Sequence, residues 1–129
     1  MVMNIEIVID CPDPVELATF YRELMGGDVV CSEPGWATIR VGTSLMSFQK
    51  VEDYHAPDWP GQSSPQQMHC DILSTDVRLD RARALTLGAT ALSEILDPGP
   101  EEWCVLADPF GHPFCLDHHL SDGEIPTQA

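Results

Sequence analysis

Hydrophobic and polar positions follow two periods along this chain, and the periods switch twice in the same order. Residues 2–9 alternate, with Ile5, Ile7 and Ile9 on one side and Asn4, Glu6 and Val8 on the other, which predicts a strand. Asp13-Pro14-Val15-Glu16 then predicts a helix start: Asp13 caps, Pro14 occupies the first turn and Glu16 closes a capping box. Leu17, Phe20, Tyr21, Leu24 and Met25 recur at helical spacing, and Gly26-Gly27 stops the helix. Strands are predicted over 29–31, 36–41 and 45–51, the last two joined by a turn at Gly42-Thr43-Ser44. After residue 66 the order returns. A strand over 67–73 leads to a helix starting at Asp76, with Leu79, Ala82, Ala84 and Leu85 as its apolar side and Gly88 as its end. A strand over 89–95 and a turn at Pro98-Gly99-Pro100 follow.

The stretch 103–119 reads as strand, tight turn, strand. Trp103 to Leu106 and Phe114 to Leu116 are apolar runs around Asp108-Pro109-Phe110-Gly111, where proline presets φ and glycine supplies φ > 0. On the second arm Pro113, Cys115 and Asp117 point one way, and Phe114, Leu116 and His118 the other. A thiol and a carboxylate thus share a face backed by a hydrophobic one. His112 falls on the opposite parity from Cys115, and His118-His119 read as a solvated strand end. Between the halves, residues 52–66 hold Pro57, Pro60, Gly61 and Pro65 and keep no period. A connector of that length is often functional, and Tyr54, His55 and Trp59 equip it to cover a site or dock on a partner. Residues 120–129 are polar and are expected to fray.

Composition narrows the partners. The 129 residues suit one domain, and 43% hydrophobic content supports a core. The net charge of −15, with six Lys and Arg, excludes nucleic acid and anionic membrane surfaces, which need a basic patch. Small molecules, cations or basic partners remain. Five cysteines without a C-x-x-C pair read as reduced thiols of a cytoplasmic protein. Residues 1–10 lack the basic region of a signal peptide, and no apolar run approaches a membrane span. Hydrolase, P-loop and dinucleotide motifs are absent.

The two halves repeat strand, helix, three strands. Glu6 stands seven residues before the capping Asp13, and His69 seven before Asp76. Each half ends on a strand, centred on Phe48-Gln49 or Phe114-Cys115, so two copies of one unit are expected, about 1–56 and 66–119. With Asp13-Pro-x-x-Leu17-Ala18-x-Phe20-Tyr21, Met68-His69-Cys70-Asp71-Ile72, Leu87-Gly88-Ala89 and Asp108-Pro-x-Gly111-x-x-Phe114-Cys115-Leu116, the chain resembles the vicinal oxygen chelate superfamily from Asn4 to His118. That superfamily includes glyoxalase I, bleomycin-resistance proteins and extradiol dioxygenases, and the match is nearest its glyoxalase-like branch. The resemblance implies an α+β fold, a single domain of two βαβββ modules whose curled sheets enclose a cup. It also implies metal ligands on the first and fourth strands of each module, which by position are Glu6, Gln49, His69 and Cys115. Cys115 stands where metal-binding relatives usually carry Glu.

Imidazole and thiolate suit zinc-like metals and the oxygen donors suit harder ions, so the set leaves zinc, nickel, manganese and iron open. A metal so held is expected to be weakly bound, with no organic cofactor. Asp71 shares strand parity with His69 and is either an acid–base candidate alongside Glu6 or a substrate-binding residue that orients the ligand; if both carboxylates are buried, they repel and one holds a proton. Trp103 and Val105 share parity as an apolar wall for a ligand. Two functions follow from the resemblance. One is a glyoxalase-like isomerase or lyase acting through an enediolate-like anion. The other is a bleomycin-resistance-like protein that sequesters a cationic aromatic compound without catalysis, which the charge and Trp36, Trp59 and Trp103 suit. The expected assembly is a homodimer.

Overall fold

Asp13 and Asp76 open the two helices. In the computed structural model, which describes residues 3–118, Asp13 Oδ1 accepts the N–H of Glu16 at 3.2 Å and Asp76 Oδ1 that of Leu79 at 3.1 Å. The start of the first strand at residue 2, His119 and the tail 120–129 lie outside the described residues. Contacts divide the chain between Ala56 and Pro57 into two units.

In the first unit the order is β1 (Ile7–Cys11), α1 (Pro14–Met25), β2 (Asp28–Glu33), β3 (Trp36–Val41) and β4 (Ser44–Lys50). The sheet order is β1-β4-β3-β2, with β1 parallel to β4 and the other pairs antiparallel. The parallel pair needs a crossover, which α1 supplies. Leu17, Tyr21 and Leu24 of α1 are buried with Ala37, Ile39, Met46 and Phe48 of the sheet. Tyr21 stacks on Phe48 with ring centroids 5.7 Å apart. The helix ends at Gly26, whose φ of 80° closes its N–H onto the Arg22 carbonyl at 2.7 Å.

The second unit repeats the plan: β5 (Cys70–Ser74), α2 (Val77–Thr86), β6 (Thr90–Ala91), β7 (Trp103–Ala107) and β8 (Pro113–His118), in sheet order β5-β8-β7-β6. The chain is therefore α+β, two βαβββ modules. One face of the second sheet buries Cys104, Leu106, Phe114 and Leu116. The other face carries Trp103, Val105, Cys115 and Asp117. The hairpin turn is held by Asp108, only 2% exposed, whose Oδ1 accepts the N–H groups of Phe110 and His112 at 2.9 and 3.1 Å. His112 Nδ1 lies 2.8 Å from Asp108 Oδ2, so this histidine serves the turn. Gly111 takes φ 93°.

Four expectations are corrected. β1 begins at Ile7 and reaches Cys11, because its ladder starts opposite Met46 and lasts to Lys50. β5 begins at Cys70, so His69 stands just before it. β6 covers Thr90–Ala91 only, since the Ser93 hydroxyl accepts the Val105 N–H at 2.9 Å and replaces the ladder bond. The side of α2 that packs inward holds Val77 and Ala84, with Arg81 between them donating to the Ser93 carbonyl at 3.0 Å; Leu79 is 63% exposed and Ala82 is exposed. Packing against an already apolar sheet face lets that side of α2 be small and partly polar. Among the described residues no helix is long and apolar enough to cross a membrane.

Candidate functional site

The open face of the second sheet gathers the chemistry. Asp71 on β5 sits directly opposite Cys115 on β8, and Val105 on β7 flanks Cys115 from the other side. His69 keeps the parity of Asp71, and its Nε2 lies 3.1 Å from Asp71 Oδ1. One ligand atom each from His69, Asp71 and Cys115 falls within 4.8 Å of the others. A cavity of about 520 Å³ opens on this cluster and is also lined by Glu101, Trp103, Asp117 and His118. A smaller, apolar chamber of about 240 Å³ shares His69, Trp103 and Cys115 and adds Trp59, Gln66 and Val105.

Electrostatics make the cluster acidic and proton-rich. Burial, and then the charges of Asp71 and Asp117, push the Cys115 thiol up to about 12. Burial also raises Asp117 to about 7, followed by its hydrogen bond with Asp71 and the Asp71 charge. Cys70 is raised by burial and by Asp71 and Asp108. Among the residues lining either space there is no Lys or Arg. Negative charge is thus concentrated with no Lys or Arg among the lining residues to offset it, and a cation entering here relieves repulsion between Asp71 and Asp117 and lets Cys115 ionise.

A tetrahedral metal with bonds of roughly 2.0–2.3 Å places its donor atoms about 3.5 Å apart. His69 and Asp71 are already 3.1 Å apart and Cys115 lies within 4.8 Å of both, and the His69 and Asp71 side chains, 43% and 45% exposed, have room to close on an ion. An imidazole, a carboxylate and a thiol form a donor set of the zinc type. The residues present therefore fit a divalent transition metal.

The first unit holds the remaining expected ligands. Glu6, exposed and just before β1, accepts the hydroxyl of Ser47. Ser47 shares a 2.6 Å bond with Thr38, which accepts Trp36 Nε1 at 3.0 Å. Gln49 is exposed on β4, opposite Asp10 and Trp36. Register changes the correspondence between modules. Val8 and Asp71 each stand five residues before their capping aspartate, and their ladder partners are Ser47 and Cys115. Ser47 is thus the counterpart of Cys115, and Gln49 that of Asp117. The apparent match of Phe48-Gln49 with Phe114-Cys115 is out by two residues, a shift that preserves strand parity and so escapes a reading of periodicity.

Two further placements depart from expectation. Glu6 and Asp71 are both exposed, and the carboxyl that holds a proton is Asp117, bonded to Asp71. His118 is half-buried at the larger cavity, where a solvated end was expected. The signal for Asp117 was its parity with Cys115. Nothing local pointed to Glu101 or Gln66.

A family model described as a glyoxalase-like domain matches residues 6–116. No curated protein matches the sequence significantly. The structure is similar to that of a glyoxalase-related enzyme from Fulvimarina pelagi, at TM-score 0.72 and 18% identity over 99% of this chain and 100% of that one. It is also similar to the fosfomycin resistance protein FosX from Listeria monocytogenes, at TM-score 0.71 and 12% identity over 97% and 100%. Lactoylglutathione lyase from Agrobacterium tumefaciens follows at TM-score 0.65 and 15% identity over 92% and 94%. Identities this low speak to fold alone.

Proposed function

Because the chain belongs to the glyoxalase-like domain family of the vicinal oxygen chelate superfamily, we propose that its second module binds a small molecule beside a divalent metal and supports isomerase- or lyase-type chemistry. The observation that carries this reading is the His69, Asp71 and Cys115 cluster on the wall of a cavity of about 520 Å³. His69, Asp71 and Cys115 would hold the ion. A metal there supplies Lewis acidity toward a substrate oxygen. Asp117, hydrogen-bonded to Asp71, lies beside it and is the group suited to taking up and returning a proton. Trp103 and Val105 form the apolar wall that orients the ligand and excludes water. Neither Glu6 nor Gln49 enters this reading, since Glu6 already accepts the Ser47 hydroxyl and Gln49 is displaced by two positions from the counterpart of Cys115.

The metal is expected to be weakly held, because Cys115 must surrender a proton it otherwise keeps to about 12. Metal content per chain, measured on untagged protein before and after mild chelation, tests this. Zinc or cobalt should load reversibly, release protons on binding, and fail to load in His69→Ala and Cys115→Ser. For cobalt, a thiolate charge-transfer band should be present in the native chain and absent in Cys115→Ser. Loading that is unchanged in both variants would move the metal elsewhere and end this reading.

A second reading is favoured by the lining of the pocket. Asp71, Glu101 and Asp117 with Trp59 and Trp103, and no Lys or Arg among the lining residues, suit a cationic aromatic compound held without catalysis. No metal under any loading condition, together with salt-sensitive binding of such a cation, would select it. A reducing, cytoplasmic setting accords with five free thiols.

A further inference from the structure

Trp103 stands where the two cavities meet, since it lines both. What fixes its ring lies outside either of them. Leu96 pairs with Trp103, its N–H on the Trp103 carbonyl at 2.8 Å and its carbonyl on the Trp103 N–H at 3.1 Å. The next residue, Asp97, reaches back, and its Oδ2 accepts the indole Nε1–H at 3.2 Å. In this position Asp97 takes φ 48°. Few residues other than glycine adopt that region, and one that precedes a proline, here Pro98, is ordinarily held extended. A conformation so disfavoured persists only where its surroundings over-determine it, and such residues gather at ligand sites. The rest of the loop is tied as well. Glu102 donates its N–H to the Gly99 carbonyl at 3.2 Å, and its carboxylate meets Arg78 Nε of α2 at 2.9 Å.

We propose that Asp97 is a positioning residue for the ligand site: it fixes the plane of the Trp103 indole between the two cavities and makes the ring a stronger partner for a flat cation. This rests on the reading that the second module's pocket suits a cationic aromatic ligand, and it holds whether or not that ligand is transformed. Without a partner for its N–H the indole would turn more freely about its side-chain bonds, and a ligand would have to order it on binding. The bond to a carboxylate also draws the indole proton outward and leaves the ring richer in electrons, which strengthens the attraction of its face for a cation. Asp97 is not among the residues lining either cavity, so its effect on binding passes through Trp103.

Isothermal titration of the chain with N-methylquinolinium and with quinoline at mildly alkaline pH tests this, because the two ring systems match and only the first is charged. Asp97→Gly keeps the backbone freedom and removes the acceptor; it should weaken the cation about tenfold and quinoline less. Asp97→Asn keeps an acceptor and tolerates positive φ but lacks the charge; it should weaken the cation about threefold and leave quinoline unchanged. In Trp103→Phe, which has no indole N–H, neither substitution at Asp97 should weaken the cation by more than about twofold. Glu94→Gln, an equal change of charge at an exposed position, should also stay within about twofold of the native chain. Native-like cation binding in Asp97→Gly overturns the proposal. So does a loss in Glu94→Gln equal to that in Asp97→Asn, or a full loss that persists in the Trp103→Phe background. Each of these leaves the reading of the pocket intact, whereas no binding of either compound to the native chain at millimolar concentration ends both the cationic aromatic reading and the proposal.

Discussion

Cys115 and Asp117 stand two residues apart on one face of β8, and each is held in its neutral form by the same surroundings. Burial is the leading cause for both, and Asp71 adds to both. For Asp117 this has a consequence for stability. Its carboxyl keeps a proton to about 7 in the folded chain, against an ordinary value of 3.8. Between those values the folded state binds the extra proton, so stability falls as pH rises from about 4 to about 7 and levels off above. Asp117→Asn cannot ionise and can still donate to Asp71. Relative to the native chain it should therefore gain stability steadily across that window and stay level above it. Urea denaturation of both proteins at a series of pH values measures the difference, in which the effect of the shared net charge cancels. A constant offset from pH 4 to 8 would mean that Asp117 titrates normally.

At the scale of elements, the β7–β8 hairpin places Trp103, Val105, Cys115 and Asp117 together, and its turn depends on one side chain. Asp108 satisfies two backbone N–H groups and the His112 ring from a nearly dry position. Asp108→Ala leaves those donors without an acceptor and should cost about 2–4 kcal/mol. His112→Ala removes a single partner and should cost clearly less. Chemical denaturation of the two variants tests the order, and equal losses would make the His112 contact, not the backbone bonds, the source of the turn's stability. The helices show how local chemistry and packing divide the work. Both start where an aspartate caps them, yet the side that α2 turns inward was settled by the sheet it meets. Val77 and Ala84 fit under it, while Leu79 and Leu85 remain exposed or partly so.

At the scale of the whole molecule, a net charge of −15 and exposed apolar side chains point to different partners. β1 ends its sheet, and Ile7 and Val8 on it are 37% and 44% exposed, with Met3 and Ile5 just before it at 86% each. An edge strand with exposed apolar side chains is a ready surface for a second copy, which is the reason to expect a homodimer. Light scattering over a concentration series should give twice the chain mass, and Val8→Lys should shift the population toward monomer. A monomer at all concentrations in the native chain would rule the dimer out. The charge itself acts on ligands: cations are steered inward and anions are repelled, more strongly at low salt.

The sequence by itself determined the order of elements, the two-module plan, the capping aspartates and the turn at Asp108-Pro109-Phe110-Gly111. These depend on interactions within a few residues, such as a side chain on a nearby N–H, a proline's φ or a glycine's freedom. It also showed that His69 and Asp71 share a face, because strand parity is local. The tertiary structure alone decided which residues stand opposite one another. Parity is unchanged by a shift of two, so only the ladders could set Ser47, and not Gln49, in the place that corresponds to Cys115. Only folding brought Asp117 against Asp71 and buried Gln66 Oε1 without a partner among the described residues. Proton affinity and unmet hydrogen bonding are set by groups distant in sequence and by the loss of water around them, and neither is written in the order of residues along one strand.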